Sequence, residues 1–132
     1  EVVTDLPPTL PPAWADPARL EQILANLLRN AIRHTPPGGI VVASAQAEPE
    51  ALVLEVRDTG EGIAPDDLPH IWERFYRGSA PNGGPRPGAG LGLALVKELA
   101  EAMGGSAGVE SAIGQGSRFT VRLPIEQATT PD

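Results

Sequence analysis

Leu20, Ile23, Leu24, Leu27, Leu28, Ala31 and Ile32 recur at the three-and-four spacing that draws one apolar stripe along a helix. A helix with such a stripe has to lay it against a second layer, so this segment is core-facing. At about 100° per residue, Asn26 and Asn30 fall together at the border of the stripe, one turn apart. Amides at the edge of a core usually need polar partners there. A pair of surface amides or caps is the competing reading of the same residues.

The chain has 132 residues, enough for one domain with a real core. It contains no cysteine, which excludes disulfide frameworks, thiolate metal sites and thiol catalysis. No apolar run approaches the roughly 20 residues that span a membrane, and no signal-peptide pattern opens the chain. The formal net charge of −7 argues against nonspecific nucleic-acid binding. Any phosphate ligand would therefore need local cations or main-chain donors, set against the overall field.

Residues 1–15 carry Pro7, Pro8, Pro11 and Pro12 and read as a linker end with an edge strand at Glu1 to Asp5. Asp16 and Pro17 form an N-terminal helix signature, and Pro36-Pro37-Gly38-Gly39 ends that helix near His34. Ile40 to Gln46 and Ala51 to Arg57 are strands of a hairpin, and a short helix follows at Asp66 to Trp72. Ser79 to Gly90 is a Pro/Gly-rich loop that can form neither helix nor strand. Leu91 to Met103 is a second amphipathic helix ended by Gly104-Gly105, and strands fit at Ser106 to Ser111 and Ser117 to Leu123. The domain spans 16–124, and 125–132 is a disordered polar tail. This order predicts an α+β fold, with helices layered on one face of a mixed sheet and the other face partly solvated or covered by a neighbour.

Three further constellations carry chemistry. In the strand before Asp58, Leu52, Leu54 and Val56 share one face, and the two-residue period brings Asp58 onto the same buried side. A buried carboxylate must find donors, and Gly60 and Gly62 let the main chain come close to something flat. An amino-substituted heterocycle such as adenine fits that description, while an Asp-Gly turn leaving a strand is the alternative. Gly88, Gly90 and Gly92 open the second helix, where exposed N–H groups and the helix dipole make an anion site; a simple glycine-rich lead-in would look alike. Neither a dinucleotide fingerprint nor a Walker pattern fits there. Trp72, Phe75 and Tyr76, three of five aromatics, gather at the foot of the loop, as a lid hinge or as the end of the core. Arg77 could reach a phosphate from the lid's edge or simply be solvated. His70 reads as a surface residue, and no nucleophile triad or metal cluster stands out.

In this order the motifs resemble the catalytic and ATP-binding domain of bacterial sensor histidine kinases, in the wider Bergerat-fold (GHKL) family with type II topoisomerase, Hsp90 and MutL ATPases. The likeness spans Asp16 to Pro124. Asn26 to Ala31 resembles the N box, Asp58 to Gly62 the G1 box, Trp72 to Tyr76 the F box and Gly88 to Gly92 the G2 box. The resemblance implies a two-layer α/β sandwich with a mixed, mostly antiparallel sheet, three helices on one face and a flexible ATP lid. It implies ATP and Mg²⁺ as cofactors. Asn30 would hold Mg²⁺ through its amide oxygen, supported by Asn26, with Arg33 and Arg77 approaching the phosphates. His34 would lie beside adenine, and Asp58 would accept the adenine amino hydrogen between Gly60 and Gly62. Gly88, Gly90 and Gly92 would wrap the phosphates; Ile63, Tyr76, Leu91 and Leu93 belong to the same nucleotide-binding set.

One position separates the subfamilies. The ATP-hydrolysing relatives carry a Glu one turn before the Mg²⁺ asparagine as general base, and here that position is Asn26, which cannot take a proton. The expected chemistry is therefore transfer of the ATP γ-phosphate to a histidine, which needs mainly positioning and charge neutralisation. The family's acceptor histidine lies in an upstream dimerisation domain, and neither His34 nor His70 has that context. The chain is expected to be a half-enzyme that binds nucleotide alone and transfers phosphate once the acceptor domain is supplied. A response regulator would be reached indirectly, and nucleic acid would not be a partner. The fragment is expected to be monomeric within a homodimeric full-length protein. The expected setting is cytoplasmic, as the cytoplasmic portion of a membrane-anchored sensor where one exists. A non-catalytic nucleotide sensor or interaction module of the same fold is the alternative, ahead of an autonomous ATPase.

Overall fold

The computed structural model describes residues 2–5, 17–74 and 92–124. The Asp16 cap, the linker prolines, Phe75, Tyr76, Arg77, Ser79 to Gly90, Leu91 and the tail lie outside the described residues.

The elements run β1 (Val2–Asp5), α1 (Pro17–His34), β2 (Val41–Ala47), β3 (Ala51–Asp58), α2 (Gly92–Ala102), β4 (Ser106–Ser111) and β5 (Ser117–Pro124). One five-stranded sheet has the order β1-β2-β3-β5-β4. β1 pairs with β2 in parallel, and the other three pairings are antiparallel. The sheet is thus mixed and mostly antiparallel, as expected. The β2–β3 hairpin closes with Glu48 N–H donating to the Ala51 carbonyl at 2.8 Å.

Period-2 alternation decides which face is covered. Leu52, Leu54, Val56 and Asp58 of β3 are buried, and so are Ser117, Phe119, Val121 and Leu123 of β5. The register sets Leu54 beside Val121, Val56 beside Phe119 and Asp58 beside Ser117. Against this face α1 presents Ile23, Leu27 and Ala31, and α2 presents Val96 and Ala100, all fully buried. α1 packs on β2 and β3, α2 on β4 and β5, and the helices touch each other. Each fully buried large aliphatic side chain contributes about 1.5–3 kcal/mol, so this one interlayer core is the main stabilising term. The opposite face is solvated and charged: Glu55 lies 3.9 Å from Arg57 and 3.8 Å from Arg118.

The short helix expected at Asp66 to Trp72 differs. Here the chain makes a single 3-10 turn at Leu68–His70. Pro69 has no N–H to join an α-helical ladder. Three-residue bonds take over instead, Asp67 N–H to Ala64 at 2.9 Å and His70 N–H to Asp67 at 2.9 Å. Two α-helices and this turn therefore stand, among the described residues, where three helices were expected. Trp72, just beyond, sets its ring edge-on to Phe119 with centroids 5.8 Å apart. Arg74 then reaches α2, where its Nε and Nη2 donate to Glu98 at 3.0 and 2.6 Å. Among the described residues no helix is long and apolar enough to cross a membrane.

Candidate functional site

Asp58 ends β3 on the covered side, and only 7% of it is exposed. Its Oδ1 accepts the Gly60 N–H at 2.8 Å, and the Ser117 N–H also donates to the carboxyl. Burial pushes this carboxyl above the ordinary carboxylate value; the two N–H donors and nearby His34 oppose the rise, and Glu61 adds to it. A carboxylate has about four acceptor positions, so two main-chain donors leave capacity for another donor.

The loop after Asp58 is moulded against its neighbours. A Cβ on Gly60 would collide with the His34 carbonyl oxygen, and one on Gly62, at φ +79°, with that of Ala112. Thr59 ties the loop to the start of β2: its N–H donates to the Ile40 carbonyl at 3.0 Å, and its Oγ1 accepts the Ile40 N–H at 2.9 Å. Glu61 offers its carbonyl to Gly114 N–H at 2.8 Å and its Oε1 to His34 Nδ1 at 3.3 Å. His34, Asp58 and the Gly60–Gly62 loop are thus brought together.

Two hydroxyls complete this corner. Ser111 Oγ accepts the Ile63 N–H at 2.8 Å, donates to the Gly116 carbonyl at 2.8 Å and lies 2.9 Å from Ser117 Oγ. Sequence reasoning passed over Ser111 and Ser117. The signal available was Gly114-Gln115-Gly116-Ser117, a second glycine-rich turn that the register carries to Asp58. Asp58, Ser111, Gly116 and Ser117 border an open groove of about 400 Å³ at the strand ends, together with Arg57 and Arg118. Asn26, Asn30 and His34 do not line it. The site is centred on Asp58 because the buried charge sits there.

Along α1, Asn26, Arg29, Asn30 and Arg33 share one face at i, i+3, i+4 and i+7. Asn26 is 7% exposed; its Oδ1 accepts a bond from Arg29 Nη2, while its Nδ2 is buried with no partner among the described residues. Asn30 is half-buried, and Arg29 and Arg33 are exposed. An orphaned donor in a buried setting costs about 1–3 kcal/mol and marks a place for an acceptor. In a chain of net charge −7, this face concentrates two guanidinium groups and two amides. From Asn26 to His34 the helix rises roughly 12 Å, which separates the amide end from the Asp58 corner.

Other sequence candidates are placed more simply. Leu93 is half-buried against the core, and Gly92 opens α2 with free space where a side chain would be. Tyr76, Arg77, Gly88, Gly90 and Leu91 lie outside the described residues. No group of three or more His, Cys, Asp or Glu among the described residues could hold a metal by itself. The donors present fit a hard cation that arrives with phosphate oxygens and takes one amide oxygen from the protein.

Residues 15–127 match the family described as histidine kinase-, DNA gyrase B-, and HSP90-like ATPase. The chain is 42% identical over 113 residues to the sensor histidine kinase RppB of Synechocystis, covering 86% of this chain and 25% of that protein. It is 39% identical over 132 residues to the adaptive-response sensory kinase SasA of Synechococcus elongatus, covering 99% of this chain and 34% of that protein. Among solved structures, full-length ShkA in complex with AMPPNP superposes with a TM-score of 0.80 at 38% identity, over all of this chain and 27% of that one. The chain therefore spans a quarter to a third of the length of these relatives.

Proposed function

The chain belongs to the histidine kinase-, DNA gyrase B- and HSP90-like ATPase family, and from that premise we propose that it binds ATP with Mg²⁺ and delivers the γ-phosphate to a histidine on a separate dimerisation domain. The observation that carries this reading is the buried Asp58 carboxyl, held by two main-chain donors beside a glycine with no room for a side chain. An exocyclic amino group is the donor that this corner lacks. The α1 face takes the other end of the ligand. The buried Asn26 Nδ2 is a donor for a phosphate oxygen, and the Asn30 amide oxygen, on the same α1 face, would take a phosphate-bound Mg²⁺. Mg²⁺, when bound, neutralises charge on the phosphates. Arg33 and Arg77 add positive charge, His34 stacks near the base, and Gly88, Gly90 and Gly92 supply N–H donors. Ile63, Tyr76, Leu91 and Leu93 belong to the same proposed nucleotide-binding set.

Nothing in this set takes a proton from water. The position of a general base is Asn26, whose amide stays neutral, so the domain holds ATP until an imidazole is presented. The similarity to RppB and SasA favours transfer over a silent sensor, since both are named as kinases. A cytoplasmic setting and a response regulator downstream belong to the same proposal. Isothermal titration with ATP and Mg²⁺ is the test, using wild type, Asn30→Asp and Asp58→Ala. Loss of a charge-assisted bond of about 1.5–3 kcal/mol should weaken binding roughly 10- to 100-fold in Asp58→Ala. Phosphate should then appear on an added histidine-bearing domain. Tight ATP binding without transfer would favour the non-catalytic module, and steady hydrolysis by the domain alone would favour an ATPase.

A further inference from the structure

An amide has two unlike ends, and what lies beside one end decides what the other can do. Asn26 is buried on α1, and Arg29, three residues on, is exposed. Helix geometry brings the two side chains together, and Arg29 Nη2 donates to Asn26 Oδ1. A guanidinium group has donors only. It can meet the amide through its oxygen and never through its nitrogen, because two donors facing each other repel. While Arg29 holds on, the two ends of the Asn26 amide therefore cannot trade places. The Nδ2 end is left on the buried side, where it has no partner among the described residues. A buried donor left unpaired is costly, so an amide that nothing held would be free to turn over.

We propose that Arg29 is a positioning residue: it locks the Asn26 amide so that Asn26 gives the ligand a hydrogen-bond donor and never an oxygen. Asn26 then serves a phosphate oxygen and takes no part in holding the metal, which falls to Asn30 alone. Turned the other way, the same amide would set an oxygen lone pair against the phosphate oxygens, and the contact would become repulsive. The positive charge of Arg29 on the amide oxygen also polarises the group and makes the Nδ2 end a stronger donor. The stem of Arg29 runs along the outside of α1, so the residue acts on a buried contact from the surface.

This inference rests on the nucleotide reading, and a double-mutant cycle separates the fate of each. The 132-residue chain is titrated with Mg·ATP as wild type, Arg29→Met, Arg29→Lys, Asn26→Leu and Asn26→Leu combined with Arg29→Met. Arg29→Met keeps the stem but loses the donor, and it should weaken binding roughly five- to tenfold. With Asn26→Leu already present, the same change should matter less than about twofold, since no amide remains to be oriented. Arg29→Lys also has donors only and should restore most of the affinity. The Asn26 side-chain amide resonances in a nitrogen–proton correlation spectrum should shift on adding Mg·ATP in wild type and in Arg29→Lys, and far less in Arg29→Met. Equal losses with and without Asn26 would mean that Arg29 acts through its charge on the phosphates, and would overturn the proposal. Binding by Arg29→Met as tight as wild type overturns it too. Wild type that binds no Mg·ATP brings down the nucleotide reading itself, and this inference with it.

Discussion

The two ends of the site are built on opposite plans. At the Asp58 corner, main chain and short side chains satisfy one another: Gly60, Ser111 and Ser117 close a network of bonds between 2.8 and 2.9 Å. On the α1 face, a buried Asn26 Nδ2 has no partner among the described residues and two arginines stand exposed. The first end is held in place before a ligand arrives and keeps acceptor capacity for it; the second waits for a ligand to complete it. Selection of a base needs rigid acceptors, because a group that can rotate cannot refuse. Holding phosphates needs available donors, and a donor already satisfied has little to give.

The contrast can be broken hardest at Gly60. A methyl there would drive into the His34 carbonyl, so Gly60→Ala should cost about 1–3 kcal/mol of stability or more and abolish ATP binding together. Thermal unfolding that matches wild type would show that the corner is softer than its geometry implies. The α1 face should respond in the reverse sense. Asn26→Leu keeps the volume and removes the orphaned donor, so the free domain should hold its stability or gain about 1 kcal/mol, while ATP binds roughly tenfold more weakly. Chemical denaturation beside titration reads both; a destabilised free domain would mean that Asn26 is structural.

Acidity sharpens the comparison further, because burial raises the Asp58 carboxyl above its ordinary value. The folded chain favours neutral Asp58, so that contribution is complete below the ordinary carboxylate value and is lost as pH rises through the raised one. The unfolding free energy of wild type minus that of Asp58→Ala should therefore decline as pH rises above the ordinary carboxylate value. A rising difference would show the two main-chain donors outweighing burial. The smallest effect belongs to Arg74→Ala: its pair with Glu98 is exposed, so stability should stay within about 0.5 kcal/mol of wild type. A larger loss would make that clasp part of the core's support.

Sequence showed most of the framework because its signals are local. The 3.6-residue stripe placed α1, and β4 came out residue for residue from Ser106 to Ser111. Asp58 was legible too, since two-residue alternation carries Leu52, Leu54 and Val56 forward to it. Ser111 and Ser117 were not, for a physical reason: a hydroxyl means little until strand register says what it faces, and β3 and β5 are far apart in the chain. The orphaned Asn26 Nδ2 was half legible. Periodicity put the amide at the core's edge, but only packing could show which atom goes unsatisfied. The helix expected near Asp66 failed because the apolar pattern ignored what Pro69 removes from the ladder.

The moulding of the Asp58 loop bears on inhibitor resistance. Gly60 and Gly62 are pinned by carbonyl oxygens of residues distant in the chain, and a carbonyl cannot be changed by a point mutation in the gene. A compound that rests on that loop through main-chain atoms would leave few single-substitution escapes, since most replacements that repel it also damage the turn. One that leans on the exposed arginines of α1 would be lost far more cheaply.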